Sequence, residues 1–391
     1  MIRLHLLALP HTITRDEYSH CAFTGKVLRF APMMRSRGYE VYHYGVETST
    51  TNATKDIDLL TKQEWEQLRI ESYKYLHPEL DVEEIKKRLA NKRNFIGDLG
   101  NWGTPLYKEF NRRLKEALPL YYRGTGTDIV CLPFGCSHEE AIKDLNVVAV
   151  ETGIGYPDSY KSFRIFESYA KLHQTIIKQD KPCQHYWFVV PNYYNIVEWP
   201  LNLTPNKQKI GYFGRICDIK GCNIFGEIAK RFPEIDFILC GQGDPAPFLK
   251  YSSNIKYIEP LHGDQRGSFL NELVALIAPS LYCEPFCGVN VEAQLCGTPV
   301  ITNDYGAFVE TIEPFKTGML CHTLADFCEA VQMALDDKFD RQYIHDRAVK
   351  KYDMYNVAIQ YDYVFKSIND IHNGNGGWYA PQSHIKLLED K

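Results

Sequence analysis

The sequence lacks an excess of positive charge. Its 44 lysines and arginines are outnumbered by 49 aspartates and glutamates, which gives a formal net charge of −5. A protein whose main partner is nucleic acid needs a basic surface to neutralise phosphates, so this balance argues against nucleic acid as the partner. A local basic pocket remains compatible with it.

A long apolar run is missing as well. The longest one, near residues 273–283, is about half a membrane span and contains Pro279. At the start of the chain, residues 1–10 hold an apolar stretch that is too short for a signal peptide. We therefore expect a soluble protein that works in the cytoplasm.

The cysteines form no C-x-x-C pair. All twelve are scattered along the chain, and several interrupt runs that are typical of buried strands or helices. In a chain of 391 residues this pattern favours reduced, buried thiols over a disulfide framework or a zinc site.

Short apolar runs alternate with helical patterns, which predicts parallel α/β structure. The alternation stops at residues 191–205, where three prolines and three asparagines are typical of a linker, and then restarts. We therefore predict two doubly wound halves that face each other across a cleft. Their expected bounds are 1–195 and 196–350, and a C-terminal helix and tail, 351–391, returns to the first half. Residues 52–122 are expected to be inserted helices without a strand.

Two glutamates mark the most informative stretch, residues 280–302. Pro285 favours an extended conformation at Glu284, which places this carboxylate in a loop after a strand. Glu292 follows eight positions later, in the first turns of a helix that begins near Gly288–Asn290. The N-terminus of such a helix offers free N–H groups and suits a phosphate. Carboxylates beside it can accept the hydroxyls of a ribose or a sugar. The alternative is a structural role, in which the two glutamates only interact with the helix dipole or with a nearby lysine.

A second stretch, residues 210–222, places two cations in a loop after a strand. Gly214 and Arg215 end the strand, and Lys220 and Gly221 follow five residues later. Arginine can bind a phosphate through two hydrogen bonds, while lysine acts as a point charge. Together they could neutralise a diphosphate leaving group without a metal.

In this order the two stretches resemble the donor half of retaining glycosyltransferase family 4, whose fold is GT-B. The family's G-R-x4-K-G loop is matched at residues 214–221, its E-x7-E element at residues 284–292, and its G-T-P-V turn at residues 297–300. The resemblance covers residues 207–320 well, and the first half matches mainly in its strand order.

The resemblance implies a role for each matched position. Arg215 and Lys220 would bind the donor diphosphate, Glu292 the ribose, and Glu284 the donor sugar next to the reacting carbon. Glu284 would be the catalytic residue. The donor-binding residues implied are Gly214, Arg215, Lys220, Glu284, Phe286, Cys287, Gly288, Val289 and Glu292.

Two departures from the family concern the cleft. The family usually has glycine directly after Glu-Pro-Phe, whereas Cys287 stands here and Gly288 follows. A histidine that often follows a first-half strand is absent from residues 148–157. Glu151, or the backbone of Gly153 and Gly155, is the expected acceptor-side replacement.

The reaction implied is the transfer of a hexose from a nucleotide diphosphate sugar to an acceptor hydroxyl, with retention of configuration. GDP-mannose is the first expected donor and UDP-glucose the second. The acceptor is expected to be a glycan or a lipid-linked or protein-linked sugar. No metal and no other cofactor is expected. A sugar-nucleotide epimerase of the same fold and a non-catalytic nucleotide-sugar binding protein remain alternatives.

Residues 107–118 form an amphipathic pattern with four outward cations, Lys108, Arg112, Arg113 and Lys115. A helix of this kind could touch a membrane surface, as family members often do. An ordinary solvated helix face is the favoured interpretation.

Overall fold

The computed structural model describes residues 2–19, 21–91 and 100–374. In these ranges the chain forms two parallel sheets, each flanked by helices. The first sheet has the order β3-β2-β1-β4-β5-β6-β7, and the second has the order β10-β9-β8-β11-β12-β13. The predicted architecture of two doubly wound α/β halves is confirmed.

The strands of the first sheet are β1 Arg3–Leu7, β2 Glu40–Val46, β3 Lys55–Leu60, β4 Asp128–Leu132, β5 Ala149–Ile154, β6 Phe163–Phe166 and β7 Trp187–Val189. Those of the second sheet are β8 Asn206–Phe213, β9 Asp236–Cys240, β10 Ile255–Ile258, β11 Leu273–Ala278, β12 Val300–Asn303 and β13 Gly318–Cys321. The helices of the first half are α1 Ala22–Arg35, α2 Lys62–Leu76, α3 Val82–Ala90, α4 Pro105–Ala117, α5 Glu139–Ile142 and α6 Tyr169–Gln179. Those that follow are α7 Cys222–Ala229, α8 Ala246–Leu249, α9 Asp264–Glu272, α10 Gly288–Leu295, α11 Phe308–Thr311, α12 Leu324–Leu335, α13 Arg341–Tyr352 and α14 Met354–His372.

The expectation of a strand-free insertion at 52–122 is wrong. Residues 55–60 form β3, which pairs in parallel with β2 at one edge of the first sheet. Only half of this strand is buried, because an edge strand leaves part of its surface in water. Because its composition is polar, a search for apolar runs does not detect this strand.

The C-terminal helices divide between the two halves at Asp353. Helix α13 packs beside α10 of the second half, with Ala348 and Tyr352 in one core with Val291. Helix α14 instead packs beside α1 on the first sheet, in a core that includes Phe30 and Phe365. The return to the first half thus begins at Met354. The tail is predicted to begin at His372, and its residues 375–391 lie outside the described residues.

Helix α4 buries its apolar face inside the first half. Leu106, Phe110 and Leu114 are fully buried in the core between β3 and β4. Outward-facing Arg112 forms ion pairs with Glu109 and Glu116, as an ordinary solvated helix face does. The apolar face is therefore not available to a membrane. No helix in the described residues is both long enough and apolar enough to cross a bilayer.

All twelve cysteines are free thiols. Five of them are buried, whereas Cys183 and Cys283 are exposed.

Arg341, at the start of α13, fastens this helix to the linker and to the second sheet. Its guanidinium donates to the carbonyls of Asn202 (2.6 Å), Leu273 (3.1 Å) and Asn271 (3.1 Å) and to the hydroxyl of Thr298 (2.9 Å). The side chain is nearly buried, so its removal would cost four hydrogen bonds that water cannot readily replace.

We predict that Arg341→Met lowers the free energy of unfolding of the second half by about 2–4 kcal/mol, since four hydrogen bonds of a nearly buried side chain are lost. The shift of the thermal midpoint measures this loss. Arg112→Met is the matched control, because Arg112 is more than half exposed and its pairs are at the surface. Equal midpoint shifts in the two variants would contradict the role of Arg341.

Candidate functional site

A cavity of about 450 Å³ lies between the two halves. Ligands of doubly wound sheets bind at the carboxyl ends of the strands, where the strand order reverses. In the second sheet this point lies between β8 and β11, and the loops after both strands enter the cavity. All nine positions implied in donor binding line it: Gly214, Arg215, Lys220, Glu284, Phe286, Cys287, Gly288, Val289 and Glu292.

The loop after β8 presents Lys220 to the cavity by a tight turn at Gly221. Gly221 has a φ of +74°, and a Cβ there would lie 1.9 Å from the carbonyl oxygen of Pro279. Only glycine fits so close to the neighbouring strand end. The ammonium of Lys220 forms an ion pair with the carboxylate of Glu284.

Glu284 is held in place through both its side chain and its backbone. The hydroxyl of Ser280 donates to its carboxylate at 2.7 Å, and its carbonyl accepts from the N–H of Ala307 at 3.1 Å. The residue is 7% exposed. Lys220 and Ser280 thus give this nearly buried carboxylate a cation and a hydrogen-bond donor in place of water.

Helix α10 begins at Gly288, as the sequence predicts, and Cys287 precedes it with a φ of +63°. This left-handed conformation favours glycine, the residue that the resemblance leads one to expect at this position. The thiol of Cys287 donates to Oδ1 of Asn290 at 3.3 Å. The N-terminus of α10 nevertheless borders the cavity through Gly288 and Val289.

Glu292 forms an ion pair with Arg266 of α9, a residue that the sequence analysis missed. Arg266 lies over the rings of Trp199 and Phe213, with its guanidinium carbon 5.5 and 5.4 Å from their centroids. A single arginine within a helical pattern matches no motif, so no signal in the sequence could have found it.

The first half forms the opposite wall of the cavity, with Phe23, Lys26, Arg29, Glu167 and Asn192. These residues were also missed. Lys26 donates to the carbonyl of Gly153 at 2.7 Å and to Glu167 at 3.1 Å, and its side chain is 6% exposed. A buried lysine in the amphipathic helix α1 was the one available signal.

The predicted acceptor-side residues divide into two kinds. Gly155 lines the cavity, and the carbonyl of Gly153 accepts from Lys26. Glu151, by contrast, is fully buried within β5 and its side chain is not part of the cavity wall, so the expectation that it faces the cleft is wrong. Its Oε1 accepts from the N–H of Tyr160 at 3.0 Å, and its Oε2 has no partner among the described residues.

Contacts beside the cavity join the halves directly. The hydroxyl of Ser168 donates to the carbonyl of Pro285 at 2.5 Å. The carboxylate of Glu310 accepts from the N–H groups of Tyr169 and Ala170 at 2.9 and 2.7 Å. A carboxylate at the N-terminus of α6 is also favoured by the helix dipole.

Comparison with known proteins agrees with this geometry. Residues 197–351 match the family model described as "Glycosyl transferases group 1". These residues are a group 1 glycosyltransferase domain.

Two curated relatives match over part of their length. The alpha-maltose-1-phosphate synthase of Mycolicibacterium smegmatis is 28% identical over 149 residues, which are 34% of this chain and 38% of that protein. The D-inositol 3-phosphate glycosyltransferase of Paenarthrobacter aurescens is 26% identical over 157 residues, which are 36% of this chain and 38% of that protein. The chain therefore spans well under half the length of either relative.

Solved structures match nearly the whole chain. AviGT4, a glycosyltransferase involved in avilamycin A biosynthesis, has a TM-score of 0.65 at 14% identity and covers 96% of this chain and 99% of its own. HepE of Anabaena, in complex with UDP-glucose, has a TM-score of 0.64 at 14% identity and covers 94% and 100%. The GT-B fold extends beyond the group 1 glycosyltransferase domain to the first half.

We predict that Cys287→Gly makes the group 1 glycosyltransferase domain more stable than Cys287→Ala, by about 0.5–1 kcal/mol. Both variants lack the thiol, but only glycine removes the cost of the left-handed conformation. Thermal midpoints measure the difference. A Cys287→Ala variant at least as stable as Cys287→Gly would contradict the strain argument.

Glu151 predicts a pH dependence of stability. Burial is the main cause that raises the pKa of Glu151 to about 7 from an ordinary value of 4.5. The folded state therefore holds this proton more tightly than the unfolded state. Its contribution to stability is complete below about pH 4.5 and is lost as the pH rises through about 7.

Between about pH 5 and about pH 8, the wild-type protein should lose about 2–3 kcal/mol more stability than Glu151→Gln, which stays uncharged. Thermal midpoints of both proteins across this range measure the difference. Parallel midpoint curves would contradict the buried carboxylate as the source of the pH dependence.

Proposed function

We propose that the chain is a retaining hexosyltransferase of glycosyltransferase family 4 that uses a nucleotide diphosphate sugar as donor and needs no metal. One observation carries the proposal: Arg215, Lys220, the start of α10 and both glutamates of the E-x7-E element line a single cavity between the halves. Such a set can neutralise a diphosphate and accept the hydroxyls of two sugars.

In the proposed reaction, Arg215 and Lys220 stabilise the departing diphosphate. The bond between the anomeric carbon and the diphosphate oxygen breaks while the acceptor oxygen bonds to the same face of that carbon. The acceptor proton passes to the departing phosphate oxygen. Lysine has three N–H donors, so Lys220 can hold Glu284 and a phosphate oxygen together. Positioning and charge stabilisation would supply most of the rate.

The donor is proposed to be GDP-mannose or UDP-glucose. A protein of the same fold, HepE of Anabaena, has been solved with UDP-glucose, which supports the second of these. Calorimetric titration of the purified chain with GDP-, UDP- and ADP-sugars would identify the donor base and sugar.

We predict different effects for two variants of the donor site. Arg215→Ala should weaken nucleotide-sugar binding by about tenfold, because a charge-assisted contact to the diphosphate is lost. Glu284→Gln should leave nucleoside diphosphate affinity within about threefold of wild type and lower the transfer rate about a hundredfold or more. Calorimetry gives the affinities, and release of nucleoside diphosphate in the presence of an acceptor gives the rate.

Unchanged affinity of Arg215→Ala for every nucleotide sugar would contradict the donor assignment. A wild-type rate in Glu284→Gln would contradict the placement of the catalytic residue. Conversion of the donor to another nucleotide sugar without acceptor would indicate the epimerase alternative instead.

A further inference from the structure

The first-half wall of the cavity carries balanced charges. The ammonium of Lys26 pairs with Glu167 at 3.1 Å, and the guanidinium of Arg29 lies 3.6 Å from the carboxylate of Glu198. These two are the cations that the described first-half residues contribute to the cavity lining. Since each has a carboxylate beside it, this wall offers no excess positive charge to an anionic group.

Glu167 and Asn192 form a polar pair on this wall. The side-chain amide of Asn192 donates to Oε2 of Glu167 at 2.8 Å, the oxygen that also accepts from Lys26. Oδ1 of Asn192 and Nε of Arg29 are buried and have no hydrogen-bond partner among the residues that the structure describes. A hydroxyl can both donate and accept, so sugar hydroxyls suit this set.

Glu167 is fixed close to the donor side of the cavity. The next residue, Ser168, donates to the carbonyl of Pro285, which directly follows Glu284 in the chain. On the other side, Gly155 leaves room for the carboxylate, because a Cβ there would lie 2.0 Å from Oε1 of Glu167. Glu167 and Glu284 therefore lie on opposite walls of one cavity.

We propose that Glu167 and Asn192 form an acceptor subsite for an uncharged sugar or polyol. Glu167 accepts a hydrogen bond from a hydroxyl next to the reacting one, and Asn192 Oδ1 accepts from another. A phosphate on that part of the acceptor would face the Glu167 carboxylate and is disfavoured. This inference rests on the proposed function. It separates the chain from the two relatives whose names contain a sugar or inositol phosphate.

The test compares neutral and phosphorylated members of matched pairs as acceptors: glucose with glucose 6-phosphate, mannose with mannose 6-phosphate, and myo-inositol with inositol 3-phosphate. The donor is the nucleotide sugar found by calorimetry, and the readout is acceptor-stimulated release of nucleoside diphosphate. We expect a neutral member to stimulate release at least about tenfold better than its phosphorylated counterpart.

Glu167→Gln should lower kcat/KM for the neutral acceptor about tenfold and leave the nucleotide affinity unchanged. The ratio of kcat/KM for the neutral acceptor to that for the phosphorylated acceptor should therefore decrease. A merely structural role of Glu167 would not change this preference. Asn192→Ala should also lower kcat/KM for the neutral acceptor. If Glu167→Gln does not fold, this second variant tests the proposed subsite in its place. Glu140→Gln, at an exposed position of α5, is the matched control and should behave as wild type.

A wild-type protein that uses a phosphorylated acceptor as well as its neutral partner would overturn the proposal. Stimulation by none of the neutral sugars, or an unchanged preference in Glu167→Gln, would overturn it too. Failure to bind any nucleotide sugar would instead refute the proposed function, so the two failures are distinguishable.

Discussion

The fixed position of Glu284 is the constraint on which the rest of the cleft depends. Lys220 and Ser280 hold its carboxylate, Ala307 holds its carbonyl, and the next residue, Pro285, accepts a hydrogen bond from the first half. A buried carboxylate is tolerated only with such partners, so the loops after β8, β11 and β12 must be placed together. The cavity is therefore a property of both halves in contact.

Charges in the cleft are paired before a ligand arrives. Glu284 pairs with Lys220, Glu292 with Arg266, and Glu167 with Lys26, so each of these three carboxylates has a cation beside it. Arg215 is exposed at the rim of the cavity. An incoming anion would meet Arg215 and the start of α10 on one side and a neutral wall on the other. The cleft is therefore more positive on the side of Arg215 and the start of α10 than on the first-half wall.

The donor side of the site could be predicted from the sequence, while the opposite wall could not. Gly221 indicates a tight turn beside Lys220, and Pro285 indicates an extended backbone before the helix of Glu292. These local constraints predict where the side chains lie relative to the strand ends. The first-half wall depends on pairs that are far apart in the chain, such as Lys26 with Glu167, and no local pattern encodes them. The misplacement of Glu151 and the missed strand β3 have a related cause. For Glu151, the sequence pattern of a strand does not show which of its residues face the cleft. For β3, an edge strand can be polar, so a search for apolar runs does not find it.

The chain crosses between the halves twice, and the two crossings lie side by side. Tyr194 in the linker accepts from the N–H of Met354 at 2.8 Å and donates its own N–H to Tyr352 at 2.9 Å. Its hydroxyl also donates to the carbonyl of Gly288, the first residue of α10. Paired crossings of this kind can persist while two domains rotate. A rotation that opens the cleft would break the contacts of Ser168 and Glu310 between the halves.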